Sequence, residues 1–138
     1  MTVLYTAHAI VTGGRDGKGE TDDKNLSVAR SRPGPGGSGT NPEQLFAVAY
    51  AACFGSAVSF VAGQKKLETG AVTIHSDVTL NQNEQGFSIG VTLNVSVPSL
   101  DSAEAQGLVR EADKVCPYSK AVRNNVKVTL IANGHPVG

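Results

Sequence analysis

The chain is poor in cysteine and has no excess of charge of either sign. Two cysteines, Cys53 and Cys116, in 138 residues argue against a disulfide-stapled scaffold and for a redox pair. Twelve basic and twelve acidic residues cancel, and there is no Lys/Arg run. Nucleic acid is therefore not an expected partner, and electrostatic binding to a membrane has no support. CxxC and HExxH are both missing, and His8, His75 and His135 are widely spread. No metal site and no cofactor are expected. Gly34 to Thr40 spaces its glycines like a phosphate loop, but no Lys follows the last one and Pro35 removes an N–H from the cradle. Nucleotide binding is set aside on that ground.

The start, Met1 to Thr6, alternates like a strand and lacks the charged and apolar regions of a signal peptide. The expected location is cytoplasmic, where a lasting structural disulfide is unusual and a transient catalytic one is permitted. Leu45 to Ala62 carries no charge and approaches the ~20 residues of a membrane span. It is rich in Ala, contains Gly55, Ser56 and Ser59, and follows Glu43 and Gln44. Those features favour a helix buried on every side by protein.

The length suits one domain over residues 1–138 with a real core. Tyr5 to Thr12 and Asn25 to Ala29 read as strands, joined through turn chemistry at Gly13-Gly14-Arg15-Asp16-Gly17. Arg32 to Thr40 reads as a loop. A long helix is expected to open at Asn41, a good N-cap, with Pro42 at its first position and Glu43 at the positive end of its dipole. Gln44 can complete a capping box, and the helix should end near Leu67, ahead of Gly70. Val72 to Leu80 and Phe87 to Val97 form a hairpin pattern. A helix capped by Ser99 or Asp101, a short one from Pro117 to Arg123 and a strand over Val126 to Ala132 complete an α+β chain, with antiparallel sheet packed around the long central helix.

Taken alone, Cys53 reads first as a small apolar filler whose burial raises its pKa. Cys116 stands at the expected N-cap of the Pro117 helix, where the dipole favours a negative sulfur, though a chance cap would look the same. As the only two thiols they favour a pair in which Cys53 attacks peroxide and Cys116 resolves the sulfenic acid to a disulfide. That requires their Cα atoms to lie roughly 4.4–6.8 Å apart. With an ordinary pKa of ~8.5, several per cent of a thiol is already ionised near neutrality. Complete ionisation therefore gains only about one to one and a half orders of magnitude, and a cation must also stabilise the departing alkoxide. Arg15 is the candidate, and Glu43 can hold it in a bidentate pair. A solvated turn arginine and a first-turn glutamate serving the dipole fit those two residues as well.

Four segments occur in order: Gly13-Gly14-Arg15-Asp16-Gly17, Gly39-Thr40-Asn41-Pro42-Glu43-Gln44-Leu45-Phe46-Ala47, Ala51-Ala52-Cys53-Phe54 and Val115-Cys116-Pro117-Tyr118-Ser119. Together they resemble the organic hydroperoxide resistance branch of the Ohr/OsmC family. The resemblance implies an intertwined homodimer of α+β fold and a thiol peroxidase acting on alkyl or fatty-acid hydroperoxides, recycled by dihydrolipoyl groups on a partner protein or by a small dithiol. It would make Cys53 peroxidatic, Cys116 resolving, Arg15 the activating cation and Glu43 its holder.

Glu43 and Cys53 are ten residues apart, about 15 Å along a straight helix. Two antiparallel copies of the helix crossing near Val48 would bring Glu43 of one chain towards Cys53 of the other. Phe46, Tyr50, Phe54 and Phe60 lie on or near the Cys53 face at helical spacing. Core packing accounts for them too, but any that line the site favour an organic peroxide over hydrogen peroxide. Other readings are an OsmC-like peroxidase of broader specificity, a non-catalytic redox-switch or ligand-binding dimer, and a Cys53–His75 hydrolase, which leaves Cys116 without a role.

Overall fold

The computed structural model describes residues 1–34 and 37–138. Pro35 and Gly36, inside the expected glycine-rich loop, lie outside the described residues. In chain order the elements are β1 (Ala9–Gly13), β2 (Gly17–Thr21), β3 (Ser27–Arg30), α1 (Pro42–Lys65), β4 (Thr73–Asn83), β5 (Gly86–Ser96), α2 (Ser102–Val115), α3 (Pro117–Val122), β6 (Lys127–Ala132) and β7 (His135–Pro136). The architecture is α+β. Two compact units are present, Met1–Leu45 and Phe46–Gly138, and α1 begins in the first and continues through the second.

The first unit is an antiparallel meander, β1-β2-β3, with Gly13 opposite Gly17 and Gly17 opposite Arg30. Strand β2, Gly-Lys-Gly-Glu-Thr, was not expected. It carries no apolar side chain and so gives no period-two signal; its place is set by backbone pairing on both edges. The β1–β2 turn depends on Gly13, whose φ is 73° and where a Cβ would fall 2.2 Å from the Asp16 carbonyl oxygen. Asn41 caps α1, its Oδ1 accepting from the Gln44 N–H at 2.9 Å. Gln44 does not complete the box: its Oε1 accepts from Thr40 Oγ1 at 2.8 Å instead.

The second unit packs α1 and α2 on the sheet β4-β5-β6-β7. Its core joins Tyr50, Phe54 and Val58 of α1, Leu93 and Val95 of β5, and Leu108, Val109 and Ala112 of α2. Strands β4 and β5 form the expected hairpin, closing at Asn83 and Gly86. β5 and β6 pair in parallel, because α2 and α3 carry the chain over between them. The sheet is therefore mixed. Asp101 is the cap of α2, accepting from the Glu104 N–H at 2.9 Å. Helix α1 ends at Lys65, two residues before the expected stop. Lys66 adopts φ 54°, and the bonds Leu67 N–H to Ala62 O and Lys66 N–H to Gly63 O close a Schellman cap.

Helix α1 is long and apolar enough to cross a membrane by length and composition, yet only 33% of its apolar window is buried. The sequence led us to expect burial on every side. Instead Tyr50, Phe54, Ala57, Val58, Val61 and Ala62 face the core, while Val48 is 71% and Phe60 57% exposed. Val48, Ala52, Ser56, Ser59 and Gly63 form an open stripe at helical spacing. The groove beside it, about 720 Å³, is lined by Ala51, Gly55, Ser59, Thr69, Val72 and Ile74 among others.

Candidate active site

Two clusters carry the chemistry that the sequence singled out. In the second unit, Cys53 projects half-buried from α1 and meets the fully buried Cys116. Both are free thiols, and Cys116 Sγ donates to Cys53 Sγ at 3.7 Å. The contact is longer than the ~2.05 Å of a disulfide bond, so the two thiols are reduced and adjacent.

Cys116 is the residue on which α2 stops and α3 starts. Its N–H continues α2 by donating to Ala112 O at 2.9 Å. Its sulfur caps α3 by accepting from the Ser119 N–H at 3.5 Å. Pro117 follows at the first helical position, where its missing N–H costs nothing. Arg123 braces the corner from behind, with Nη1 on Asp113 Oδ2 at 2.9 Å and Nη2 on the Asp113 carbonyl at 2.8 Å. Ser119, which the sequence reading gave no role, also shares a buried 2.8 Å hydrogen bond with Tyr50 Oη. A Ser three residues past the cap was the available signal.

Three aromatic rings gather at this corner. Phe46 meets Tyr50 edge-on, centroids 5.9 Å apart, and Tyr118 lies 5.8 Å from Tyr50 and 6.1 Å from Phe46. Tyr50 and Phe54 are fully buried, Phe46 is half-buried, and Phe60 lies on the exposed side. Burial pushes the Cys53 thiol above its ordinary value; the Tyr118 N–H acts against this, and the neighbouring Cys116 thiol reinforces it. Burial likewise raises the Tyr50 phenol, so that ring stays neutral.

In the first unit, Arg15 and Glu43 form a bidentate pair. Nη1 donates to Oε2 at 2.8 Å and Nη2 to Oε1 at 2.5 Å. Their side chains are 36% and 14% exposed. Arg15 reaches from the β1–β2 turn and Glu43 from the first turn of α1, where the dipole also favours a carboxylate. The Arg15 hydrogen bonds hold the Glu43 carboxyl below its usual range, and the same bonds raise the guanidinium. A depressed carboxylate stabilises the fold above the ordinary carboxylate range, and that contribution is lost as pH falls through its lowered pKa. The pair is therefore intact at neutral pH. The structure thus brings Arg15 to Glu43 and Cys53 to Cys116. Among the described residues no group of His, Cys, Asp and Glu could hold a metal ion.

Comparison with known proteins places these features in one family. The model of the OsmC-like protein family matches residues 34–131. The organic hydroperoxide resistance protein of Xanthomonas axonopodis pv. citri (strain 306) is 53% identical over 133 residues, covering 93% of this chain and 94% of that protein. The crystal structure of the organic hydroperoxide resistance protein OhrB of Bacillus subtilis superposes with a TM-score of 0.88 at 46% identity, covering 94% of this chain and 98% of that one. A crystal structure of an organic hydroperoxide resistance protein from Elizabethkingia anophelis gives 0.88 at 41% identity, over 96% and 99% of the two chains. Matches of this extent and identity leave one conclusion: the chain belongs to the OsmC-like family, in its organic hydroperoxide resistance branch.

Proposed function

We propose that the chain is a cysteine-based peroxidase that reduces organic hydroperoxides to alcohols. The observation that carries this reading is the 3.7 Å contact between its only two thiols. The Cys53 thiolate attacks the outer peroxide oxygen; the O–O bond breaks, and the alkoxide leaves with a proton as the alcohol. Cys53 is now a sulfenic acid, and Cys116 condenses with it, expelling water and forming the disulfide. A dithiol of the dihydrolipoyl class then reduces the disulfide and is itself oxidised to a cyclic disulfide. Arg15, held by Glu43, stabilises the Cys53 thiolate and the departing alkoxide. Steady turnover of cumene hydroperoxide with dihydrolipoamide supports the reading; slow, stoichiometric oxidation without turnover would support a redox switch and overturn it.

Phe46, backed by the buried Tyr50 and Phe54, supplies the apolar wall for the organic part of the substrate. Only Phe46 of the three retains exposed surface, so Phe46→Ser is the informative change. It should lower kcat/KM for cumene hydroperoxide about tenfold, the scale of a few lost apolar contacts, and leave hydrogen peroxide reduction unchanged. Equal loss for both peroxides would remove Phe46 from substrate recognition. Phe54→Ser is a poorer test, because a polar residue in that core costs about 3 kcal/mol or more of stability by itself.

The working form is a cytoplasmic homodimer in which the open stripe of α1 packs on a second copy. Its support is the apolar, small-residue character of Val48 to Gly63 and the 71% exposure of Val48. The ten-residue separation of Glu43 and Cys53 on one helix, about 15 Å along its axis, supports a site to which both chains contribute. Val48→Glu should convert a dimer into a monomer by sedimentation and reduce turnover with it. A Val48→Glu protein that remains dimeric and fully active would refute this arrangement.

A further inference from the structure

Arg30 closes β3 and is 8% exposed, yet forms no ion pair with any described residue. A buried guanidinium is costly unless its donors are used. Here two of them are spent on the backbone of the turn that carries Arg15. Nε donates to the Gly14 carbonyl at 2.7 Å and Nη2 to the Thr12 carbonyl at 2.6 Å. Strand β2 leaves room for this side chain: a Cβ on Gly17 would stand 3.2 Å from Nη2, and one on Gly19 would stand 2.8 Å from Nη1.

We propose that Arg30 is a positioning residue for the peroxidase reaction, fixing the peptide plane from which Arg15 departs. The inference rests on the reading of Arg15 as the activating cation. The Gly14 carbonyl belongs to the same planar peptide as the Arg15 nitrogen, so holding that oxygen orients Arg15 at its Cα. Gly14 itself has open space around it, and steric contact cannot supply the restraint. Glu43 holds the other end of Arg15.

Arg30 also ties this turn to the helix that carries Glu43. On either side of it, Thr40 N–H donates to Ala29 O at 3.0 Å and Ser31 N–H donates to Thr40 O at 2.9 Å. Thr40 precedes Asn41, the cap of α1. A guanidinium suits the task because its rigid fork reaches two carbonyls at once and never loses its charge. A lysine offers a single flexible point of attachment.

The test uses the full chain with five variants: Arg30→Met, Arg30→Lys, Gly19→Ala, Arg15→Met and the Arg15→Met/Arg30→Met double. Two quantities are read: kcat/KM with cumene hydroperoxide and dihydrolipoamide, and the pH midpoint of Cys53 alkylation by iodoacetamide. Arg30→Met should lose between about 10- and 100-fold in kcat/KM, the penalty of a catalytic group misplaced by about 1 Å. Its alkylation midpoint should rise, and Arg30→Lys should recover part of both. The double variant should match Arg15→Met alone, because residues acting through one another are not additive. Gly19→Ala, which pushes the guanidinium aside without removing it, should lose activity in the same direction, and it carries the test if Arg30→Met does not fold. Wild-type activity in Arg30→Met or Gly19→Ala overturns the proposal. So does an activity loss with an unmoved alkylation midpoint, or a loss that adds in full to that of Arg15→Met. Full activity in Arg15→Met instead overturns the reading of Arg15, and the role of Arg30 falls with it.

Discussion

Cys53→Ser is expected to lower hydroperoxide turnover by about a thousandfold or more, the scale on which removing a covalent nucleophile acts. In the proposed mechanism a serine hydroxyl in the same place offers no ionised sulfur to attack the O–O bond, and Cys116 is poorly placed to inherit the role. Cys116 is fully buried and committed as the cap of α3, whereas Cys53 retains exposure. That asymmetry supports the proposed division, in which Cys53 attacks and Cys116 resolves. Cys116→Ser should therefore react once with peroxide at a rate near wild type, then lose activity as the unprotected sulfenic acid oxidises to sulfinic acid. Activity assays with mass spectrometry of the Cys53 peptide separate the two variants. Equal, immediate inactivity in both would contradict the division of roles.

Arg15→Met should lose about 100- to 1000-fold in kcat/KM, the range typical of removing one preorganised donor from developing charge. Burial and the Cys116 thiol hold Cys53 above its ordinary pKa, so the isolated arrangement of the two thiols works against the reactive thiolate. In the proposed mechanism the Arg15 cation offsets this. If Arg15 acted only on the thiolate, raising the pH would restore the variant completely. If it also stabilises the departing alkoxide, a deficit of about tenfold or more persists above the thiol pKa. We expect the persistent deficit. Glu43→Gln, which keeps a hydrogen-bond acceptor but removes the charge and the bidentate fork, should fall between wild type and Arg15→Met. Full recovery of Arg15→Met at high pH would confine Arg15 to thiolate formation.

The parts of this molecule that follow strong local rules were legible in the sequence. Asn41-Pro42-Glu43 announces a helix start by capping chemistry alone, and α1 begins there. Cys116-Pro117 marks a second start in the same way. Other features have no local signature. Strand β2 has no apolar alternation and is held by ladders on both sides. The end of α1 uses Lys66 in a left-handed conformation, where glycine is the usual signal. The parallel register of β5 and β6 is a property of the crossover and not of either strand. In α1 the period of the apolar residues cannot say which side faces the core, because every side is apolar. Hence Phe46, Tyr50, Phe54 and Phe60 read alike in the sequence and differ widely in exposure.

The site was legible in its residue types more than in its contacts. Two lone thiols pointed to each other because no other partner existed, and they meet. Arg15 and Glu43 were linked by charge and geometry of type, and they pair. Ser119, Tyr118 and Arg30 act through backbone groups and ring faces, which leave little trace in a single sequence.

In the proposed reaction Cys53 and Cys116 together carry out one reduction of an organic hydroperoxide. The most direct measurement is the intact mass of the reduced wild-type protein after one equivalent of cumene hydroperoxide in thiol-free buffer, followed by dihydrolipoamide. The expected result is a loss of two hydrogens, a Cys53–Cys116 disulfide in the peptide digest, release of cumyl alcohol, and return to the starting mass with the dithiol. Unchanged mass with the peroxide intact, or oxygen added elsewhere while both thiols stay free, would contradict it.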